Sequence, residues 1–246
     1  MSNAPQLPVF PPLFSGETLS GQADPFAKAC TQAMLGCDSG LVVHNISVDR
    51  LRAAIVFAPE TPLEQAAAVF IACGIGFQNA LGALAPPEVA VHLGWSGNIF
   101  VNGARCGNLR IAASTDDPAE VPNWIVVGLD LPLIPADDVA PGDTPDETCL
   151  FEEGCVEVEP VRLLEAWVRH SLVWINRMED EGNAPLHAEW RGLARDLGEE
   201  VSFSLAGQNH AGTFMGVDEH FNMLLRQGKE TGLVRLTACL DRGDTL

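Results

Sequence analysis

Residues 91–114 read VHLGWSGNIFVNGARCGNLRIAAS, and this stretch decides the fold prediction. Short apolar runs alternate with turns that contain Gly or Asn, which is the pattern of adjoining β-strands. Trp95 and Phe100 flank the first turn, and Arg105 opens the strand after the second turn. The stretch therefore predicts a β-hairpin that places a cation and aromatic rings beside a polar turn, as a ligand site would.

Further strands are predicted on both sides of this hairpin. Residues 40–46 (GLVVHNI) and 51–58 (LRAAIVFA) are apolar, and only SVDR separates them, which predicts a second hairpin. Residues 123–134 (NWIVVGLDLPLI) form another strongly apolar run. These segments together predict a mixed β-sheet.

Residues 62–84 are rich in Ala, Leu, Ile and Phe, which predicts a buried helix. Thr61 is its expected N-cap, with Pro62 in the first turn and Glu64 closing a capping box. The two glycines of CGIGF predict a bend and close packing against another helix. They do not follow a strand, so a dinucleotide-binding glycine loop is not predicted.

The C-terminal part changes its hydrophobic period. Apolar residues recur at helical spacing from Pro160 to about Glu181, and a second helix is predicted over residues 185–197. After Gly198 the period becomes two, with Gly and Asp turns, which indicates a small β-barrel. The predicted boundary lies between Leu197 and Val201.

Composition excludes several classes of partner. The 246 residues include 14 Lys and Arg against 33 Asp and Glu, a net charge of −19. Polyanions are repelled by such a surface, so neither nucleic acid nor an anionic membrane is an expected partner. No apolar run is expected to reach the roughly 18 residues that cross a bilayer. The Pro-containing start MSNAPQLPVFPPLF lacks a secretion-signal pattern and predicts an extended arm on a cytoplasmic protein.

The cysteines and histidines give no metal signature. Seven cysteines are present, an odd number, and no pair has C-x-x-C spacing. The six histidines show no ligand spacing either. Reduced thiols and no metal site are the expectation.

The order of these elements, with mixed strands and helices before two helices and a barrel, resembles that of the biotin protein ligase group. That group belongs to the biotin/lipoate ligase superfamily. VHLGWSGNIFVNGARCGNLRIA at 91–112 is similar to the family's K-W-P-N-D hairpin followed by K-x-x-G-I-L, and VVGLDLPL at 126–133 stands where the family has G-x-G-x-N. The resemblance implies an α+β fold, with a biotin/lipoate ligase-like domain of mixed β-sheet and helices over residues 1–197 and a small SH3-like β-barrel over 198–246.

In that family the carboxylate of biotin attacks ATP, and the acyl adenylate is passed to a lysine of a carrier protein. The resemblance therefore implies ATP, Mg²⁺ and biotin as ligands and a carrier protein as partner. Arg105 occupies the position of the lysine that contacts both carboxylate and phosphate, so it is the candidate catalytic residue. The same matches assign the candidate ligand-binding residues: Trp95, Asn98, Arg105, Gly107, Gly128 and Asp130.

Departures from the family pattern affect the parts that bind phosphate. The glycine- and arginine-rich loop of the family has no counterpart, because only SVDR joins the two early strands. Ser96 and Gly97 replace the proline and asparagine of the hairpin, and Asp130 replaces a glycine. The sequence thus predicts a degraded adenylation site. It is expected to bind a small carboxylate or nucleotide-like ligand near Arg105, between the hairpin at 94–105 and the strand at 124–131.

Other interpretations stay open. The chain could be an active, divergent ligase that uses Arg105 for charge alone, or a non-catalytic protein-interaction module. Arg105 could be a solvated strand arginine, Trp95 could fill the core, and Asn98 could simply close its turn. Cys149 could carry an acyl group as in octanoyl transferases, although a structural thiol is favoured. The loop at 135–148 or the N-terminal arm could replace the missing loop.

Overall fold

A computed structural model describes residues 7–135 and 144–241. A seven-stranded mixed sheet forms its centre, with strand order β1-β2-β3-β7-β6-β5-β4. All neighbours are antiparallel except β1 and β2. The strands are β1 Ser15–Thr18, β2 Leu41–Ile46, β3 Arg50–Phe57, β4 Val91–Leu93, β5 Asn98–Val101, β6 Ala104–Ala113 and β7 Ile125–Pro132.

Both predicted hairpins are confirmed. β2 and β3 pair across a turn of three residues, and β4, β5 and β6 form a meander from the stretch at 91–114. The register of β5 against β6 shifts between Asn98 and Phe100, which places Phe100 opposite Arg105. Consecutive residues are buried along β3 and β7, so the sheet buries both of its faces.

The described residues form five helices, of which α1, α3 and α4 cover the two faces of this sheet. α3 and α4 enclose the main core on one face, while α1 covers a smaller core on the other. The Asp24 side chain caps α1 by accepting a hydrogen bond from the Phe26 amide at 3.0 Å. The helices are α1 Pro25–Met34, α2 Leu63–Ala66, α3 Ala68–Leu84, α4 Pro160–Glu181 and α5 Ala184–Leu193.

The predicted capping box at Thr61 is wrong. α2 begins after Pro62, and no side chain caps it. The free amides of Leu63 and Glu64 instead donate to the carbonyl oxygens of Glu120 and Pro118, at 2.8 and 3.0 Å. A loop distant in sequence therefore satisfies these donors.

The apolar segment at 63–84 breaks at Ala67 and not at its glycines, which corrects the predicted bend. The predicted close packing is confirmed, because a Cβ added at Gly76 would lie 2.6 Å from the Ser171 hydroxyl of α4. This segment is long and apolar enough to cross a membrane, contrary to the sequence expectation, but 72% of its most apolar window is buried inside the protein.

A small four-stranded antiparallel sheet follows α5, in the order β11-β10-β9-β8. The predicted α+β class with a small C-terminal β part is thereby confirmed. A 3₁₀ turn over Leu236–Cys239 then returns the chain to the large sheet, where the Asp241 amide donates to the Ile111 carbonyl at 2.7 Å. The strands are β8 Glu200–Leu205, β9 Gln208–Val217, β10 Met223–Gln227 and β11 Glu230–Val234.

Candidate functional site

The N-terminal end of α1 lies over the middle of β3, β7 and β6, and this surface holds two of the six residues that the sequence selected. In the ladder, Gly128 stands between Ala54 and Arg110, and Asp130 stands between Arg52 and Asn108. We call this surface the α1 face and define it by Phe26, Arg52, Arg110, Gly128 and Asp130.

The ring of Phe26 fills the α1 face above Gly128. A Cβ added at Gly128 would lie 2.5 Å from the Phe26 ring, so only glycine permits this contact. The remaining cavity, which these side chains line together with Asp24, has a volume of about 10 Å³. That volume is about the minimum that holds one water molecule.

Arg110 connects three parts of the chain on the α1 face. Its Nε and Nη2 donate to Asp241 Oδ2 at 3.1 and 2.6 Å, and its Nη1 donates to Asp24 Oδ2 at 3.2 Å. Its guanidinium carbon lies 4.2 Å from the centre of the Phe26 ring, a cation–π contact. Partial burial acts to lower the pKa of Arg110, but the bonds and charges of Asp241 and Asp24 outweigh it and raise the pKa.

The neighbouring charges of the α1 face include a second arginine–aspartate pair. Arg50 Nε donates to Asp130 Oδ1 at 2.5 Å. Arg52 lines the small cavity, and its buried Nε has no hydrogen-bond partner in the described part of the chain. Arg50, Asp24 and Asp241 adjoin the α1 face, so three arginines and three aspartates of the described chain meet there and their formal charges cancel.

Arg105 lies apart from this cluster, at the start of β6. Its side chain is 46% exposed and forms an ion pair with Glu147, while its backbone bonds to Asp146 and Thr148. A Cβ added at Gly107, where φ is 97°, would lie 2.3 Å from the Asp130 carbonyl oxygen, so only glycine fits here. The predicted loop at 135–148 thus contacts Arg105 through residues 146–148, while residues 136–143 lie outside the described structure.

Trp95 and Asn98 line a different cavity, between the β4–β5 turn and the small sheet. We call this cavity, which has a volume of about 330 Å³, the hairpin groove. Its lining residues are Gly94, Trp95, Ser96, Asn98, Phe100, Arg195, Asp196, Glu200, Val201, Ser202, Phe203, Phe214 and Met223. Trp95 is buried at the base of the groove and its Nε1 donates to the Phe221 carbonyl at 2.8 Å. The Arg195 guanidinium stacks on Phe100 at 4.2 Å.

The structure therefore divides the predicted site residues among three places. Gly128 and Asp130 lie on the α1 face, Trp95 and Asn98 in the hairpin groove, and Arg105 and Gly107 in the first part of β6. Sequence reasoning missed Phe26, Arg110 and Asp241. A charged residue within the apolar run NLRIA was the available signal for Arg110, because a strand that is buried on both faces rarely carries an unpaired arginine.

Cysteines and metal ligands add no reactive centre to these three places. Cys149 is buried, and burial raises the pKa of its thiol, which disfavours the thiolate that acyl transfer requires. Within residues 7–135 and 144–241, no three His, Cys, Asp or Glu side chains are placed to hold a metal ion together.

Comparison with known proteins identifies the family. Residues 10–192 match the model of the biotin/lipoate A/B protein ligase family. The chain belongs to this family. Residues 197–242 of this biotin/lipoate ligase family member match a second model, a domain of unknown function called DUF4444. A biotin--[acetyl-CoA-carboxylase] ligase of Paracoccus denitrificans is 24% identical over 173 residues, which cover 70% of this chain and 72% of that protein.

Solved structures share the fold of this family member. A biotin protein ligase-like protein of unknown function from Silicibacter sp. TM1040 is 56% identical, with a TM-score of 0.89 over 96% of this chain and 100% of the other. The biotin protein ligase of Aquifex aeolicus is 13% identical, with a TM-score of 0.71 over 90% and 95% of the two chains. A structure of that ligase with biotin and ATP gives a TM-score of 0.68 at 12% identity, over 89% of this chain and 95% of the other. At such identity the likeness concerns the fold alone.

Proposed function

We propose that this biotin/lipoate ligase-like protein binds a small carboxylate on the α1 face and does not form an acyl adenylate. The observation that carries the proposal is the packing of Phe26 on Gly128, among arginines that already have aspartate partners. Gly128 and Asp130 stand where the resemblance places the family's G-x-G-x-N, so the filled space lies where family ligands would be expected.

Adenylation needs unpaired cations and amide donors that are aimed at developing negative charge. The α1 face contributes three aspartates to the place where a triphosphate would add further anions. The turn between β2 and β3 has only residues 47–49, closed by a bond of 2.9 Å from the Ser47 amide to the Arg50 carbonyl. The triphosphate of ATP therefore does not fit the residues of this conformation.

A single carboxylate suits the α1 face better than a nucleotide does. The planar guanidinium of Arg110 already binds a carboxylate through two of its nitrogens, and its side chain is 39% exposed. Arg52 contributes a further donor whose Nε lacks a partner among the described residues. An incoming carboxylate that replaced one aspartate would leave the local charge unchanged.

The anchoring role of Arg105 stays a prediction. Its ion pair with Glu147 is more exposed than the pairs of Arg110, so a ligand there would be bound in water and at low affinity. Matched variants Arg105→Gln and Arg110→Gln separate the two positions, because each removes one positive charge and retains an amide.

The experiment has two parts. The protein is incubated with Mg²⁺–ATP and biotin, lipoate or octanoate, and pyrophosphate and acyl adenylate are measured; we expect neither. Calorimetric titration with the same three carboxylates is expected to show binding that Arg110→Gln abolishes and Arg105→Gln retains. Detection of an acyl adenylate would establish the active-ligase alternative, and the absence of carboxylate binding would remove the proposal.

A further inference from the structure

Arg110 contacts the ring of Phe26 and the carboxylate of Asp241, and these are the two chemical groups that make up an aromatic carboxylic acid. The centre of the apolar Phe26 ring lies 4.2 Å from the guanidinium carbon of Arg110. The Asp241 carboxylate accepts hydrogen bonds from Nε and Nη2 of the same guanidinium. The chain thus supplies a ring and a carboxylate to one cation from residues that are far apart in sequence.

The segment that carries Asp241 is anchored by the buried side chains of Leu236 and Leu240, whereas the Asp241 side chain itself is partly exposed. The segment arrives from the small sheet through the 3₁₀ turn at Leu236–Cys239, bridges Leu240 to Ile111, and donates one amide hydrogen bond to the Ile111 carbonyl. The ion pair with Arg110 is partly exposed, with 39% and 32% of the two side chains accessible. Partly exposed pairs are weak, so a competing carboxylate in solution can displace this one.

The α1 face is consequently in a closed state. The cavity of about 10 Å³ leaves no room for an organic acid while Phe26 remains on Gly128. A ligand that binds only an open form has its apparent affinity reduced by the small fraction of molecules that are open. Weakening the internal contacts should therefore strengthen the binding of an external acid.

We propose that Phe26 and Asp241 act as an internal ligand, and that the external ligand is a small acid with a flat apolar body, of the size of benzoate or phenylacetate. Its carboxylate replaces Asp241 on Arg110, its ring takes the place of the Phe26 ring, and the Asp241 side chain turns into solvent. This inference rests on the carboxylate-binding function proposed above and adds the ligand class and the element that competes with it.

The test is calorimetric titration of the full chain with phenylacetate, and with the uncharged phenylacetamide as ligand control. Asp241→Asn removes the internal carboxylate charge, and Asp180→Asn on the exposed side of α4 removes one charge at a distance. We expect Asp241→Asn to bind phenylacetate at least tenfold more tightly than the unaltered protein, Asp180→Asn to bind equally to it, and phenylacetamide not to bind. Circular dichroism of each variant verifies that the fold is retained.

A second readout distinguishes competition from a purely structural role of Asp241. Phenylacetate should shift the ¹³C resonance of the Asp241 side-chain carboxylate, because that carboxylate leaves the Arg110 guanidinium. If Asp241→Asn binds phenylacetate no more tightly while Arg110→Gln abolishes binding, the internal-ligand inference is wrong and the proposed function stands. If neither the unaltered protein nor Asp241→Asn binds any of the carboxylates, both fail.

Discussion

The α1 face and the hairpin groove both contain residues that the family resemblance assigns to ligand binding, yet one is closed and the other is open. About 10 Å³ remains on the α1 face, against about 330 Å³ in the hairpin groove. The backbone positions that match the family motif are present on the α1 face. What differs is that Phe26 and Asp241 reach them from elsewhere in the chain. A preserved strand motif therefore does not determine whether a cavity exists above it.

Truncation of one phenylalanine in each region should give the largest difference in unfolding free energy between the α1 face and the hairpin groove. Phe26→Ala is expected to lower the free energy of unfolding by about 3 to 5 kcal/mol, because it empties a packed space beside Gly128. Phe203→Ala in the partly exposed wall of the hairpin groove should cost about 1 kcal/mol. Urea denaturation measures both, and similar losses would contradict the contrast between a closed and an open region.

Adding a methyl group at Gly128 should give the next largest loss of stability. Gly128→Ala is expected to destabilise by about 1 to 3 kcal/mol, since the added methyl group overlaps the Phe26 ring. Gly192→Ala is the matched control: it lies in α5 with open space around it, and should stabilise by about 0.5 to 1 kcal/mol. Combining Gly128→Ala with Phe26→Leu should recover part of the loss, and strict additivity would argue against direct contact.

The attachment of the hairpin groove to the small sheet can be tested at Trp95. Trp95→Phe removes the donor to the Phe221 carbonyl and should cost about 1 to 2 kcal/mol in thermal unfolding. Trp124→Phe, under α1 and only partly buried, serves as the control and should cost less. An equal cost at the two positions would mean that the hydrogen bond contributes little to joining the small sheet.

The smallest stability effect is expected at Asp241. Asp241→Asn should lower the free energy of unfolding by less than about 1 kcal/mol, because the ion pair with Arg110 is partly exposed and retains Asp24. Denaturation at low and high salt should show this loss shrinking as ionic strength rises. A loss that is large and independent of salt would place Asp241 in the structural core and would weaken its role as a displaceable group.

Much of the fold could be predicted from the sequence because hydrophobic periodicity and turn-forming residues are local features of the chain. The strands at 40–46, 51–58 and 91–114, the helix at 160–181 and the change of period after Gly198 all follow from nearest-neighbour patterns. The family resemblance then supplied their arrangement. The capping of α2 was missed because its donors bond to residues 118 and 120, which no local pattern links to Thr61.

The candidate site was less accessible because its contents come from distant segments. Phe26 belongs to the segment DPFAKAC, which has the pattern of a capped helix N-terminus. Nothing in this segment indicates that the Phe26 ring lies on Gly128. The charge of Arg110 was visible, but its partners Asp24 and Asp241 could be found only in three dimensions. Trp95 and Asn98 were placed beside Arg105 by sequence proximity, whereas the strand pleat and the small sheet direct them into the hairpin groove.

The bond between Asp241 and Arg110 spans 131 positions of the chain, whereas the bond from Asp24 to Arg110 spans 86. Contacts of such long separation form late, because loop-closure entropy must be overcome before they contribute. On the ribosome, the seven strands of the large sheet emerge well before Asp241 does, and Arg110 then has Asp24 beside it without the second aspartate. In a newly made molecule, Arg110 is therefore accessible to small acids in solution before the Asp241 side chain arrives.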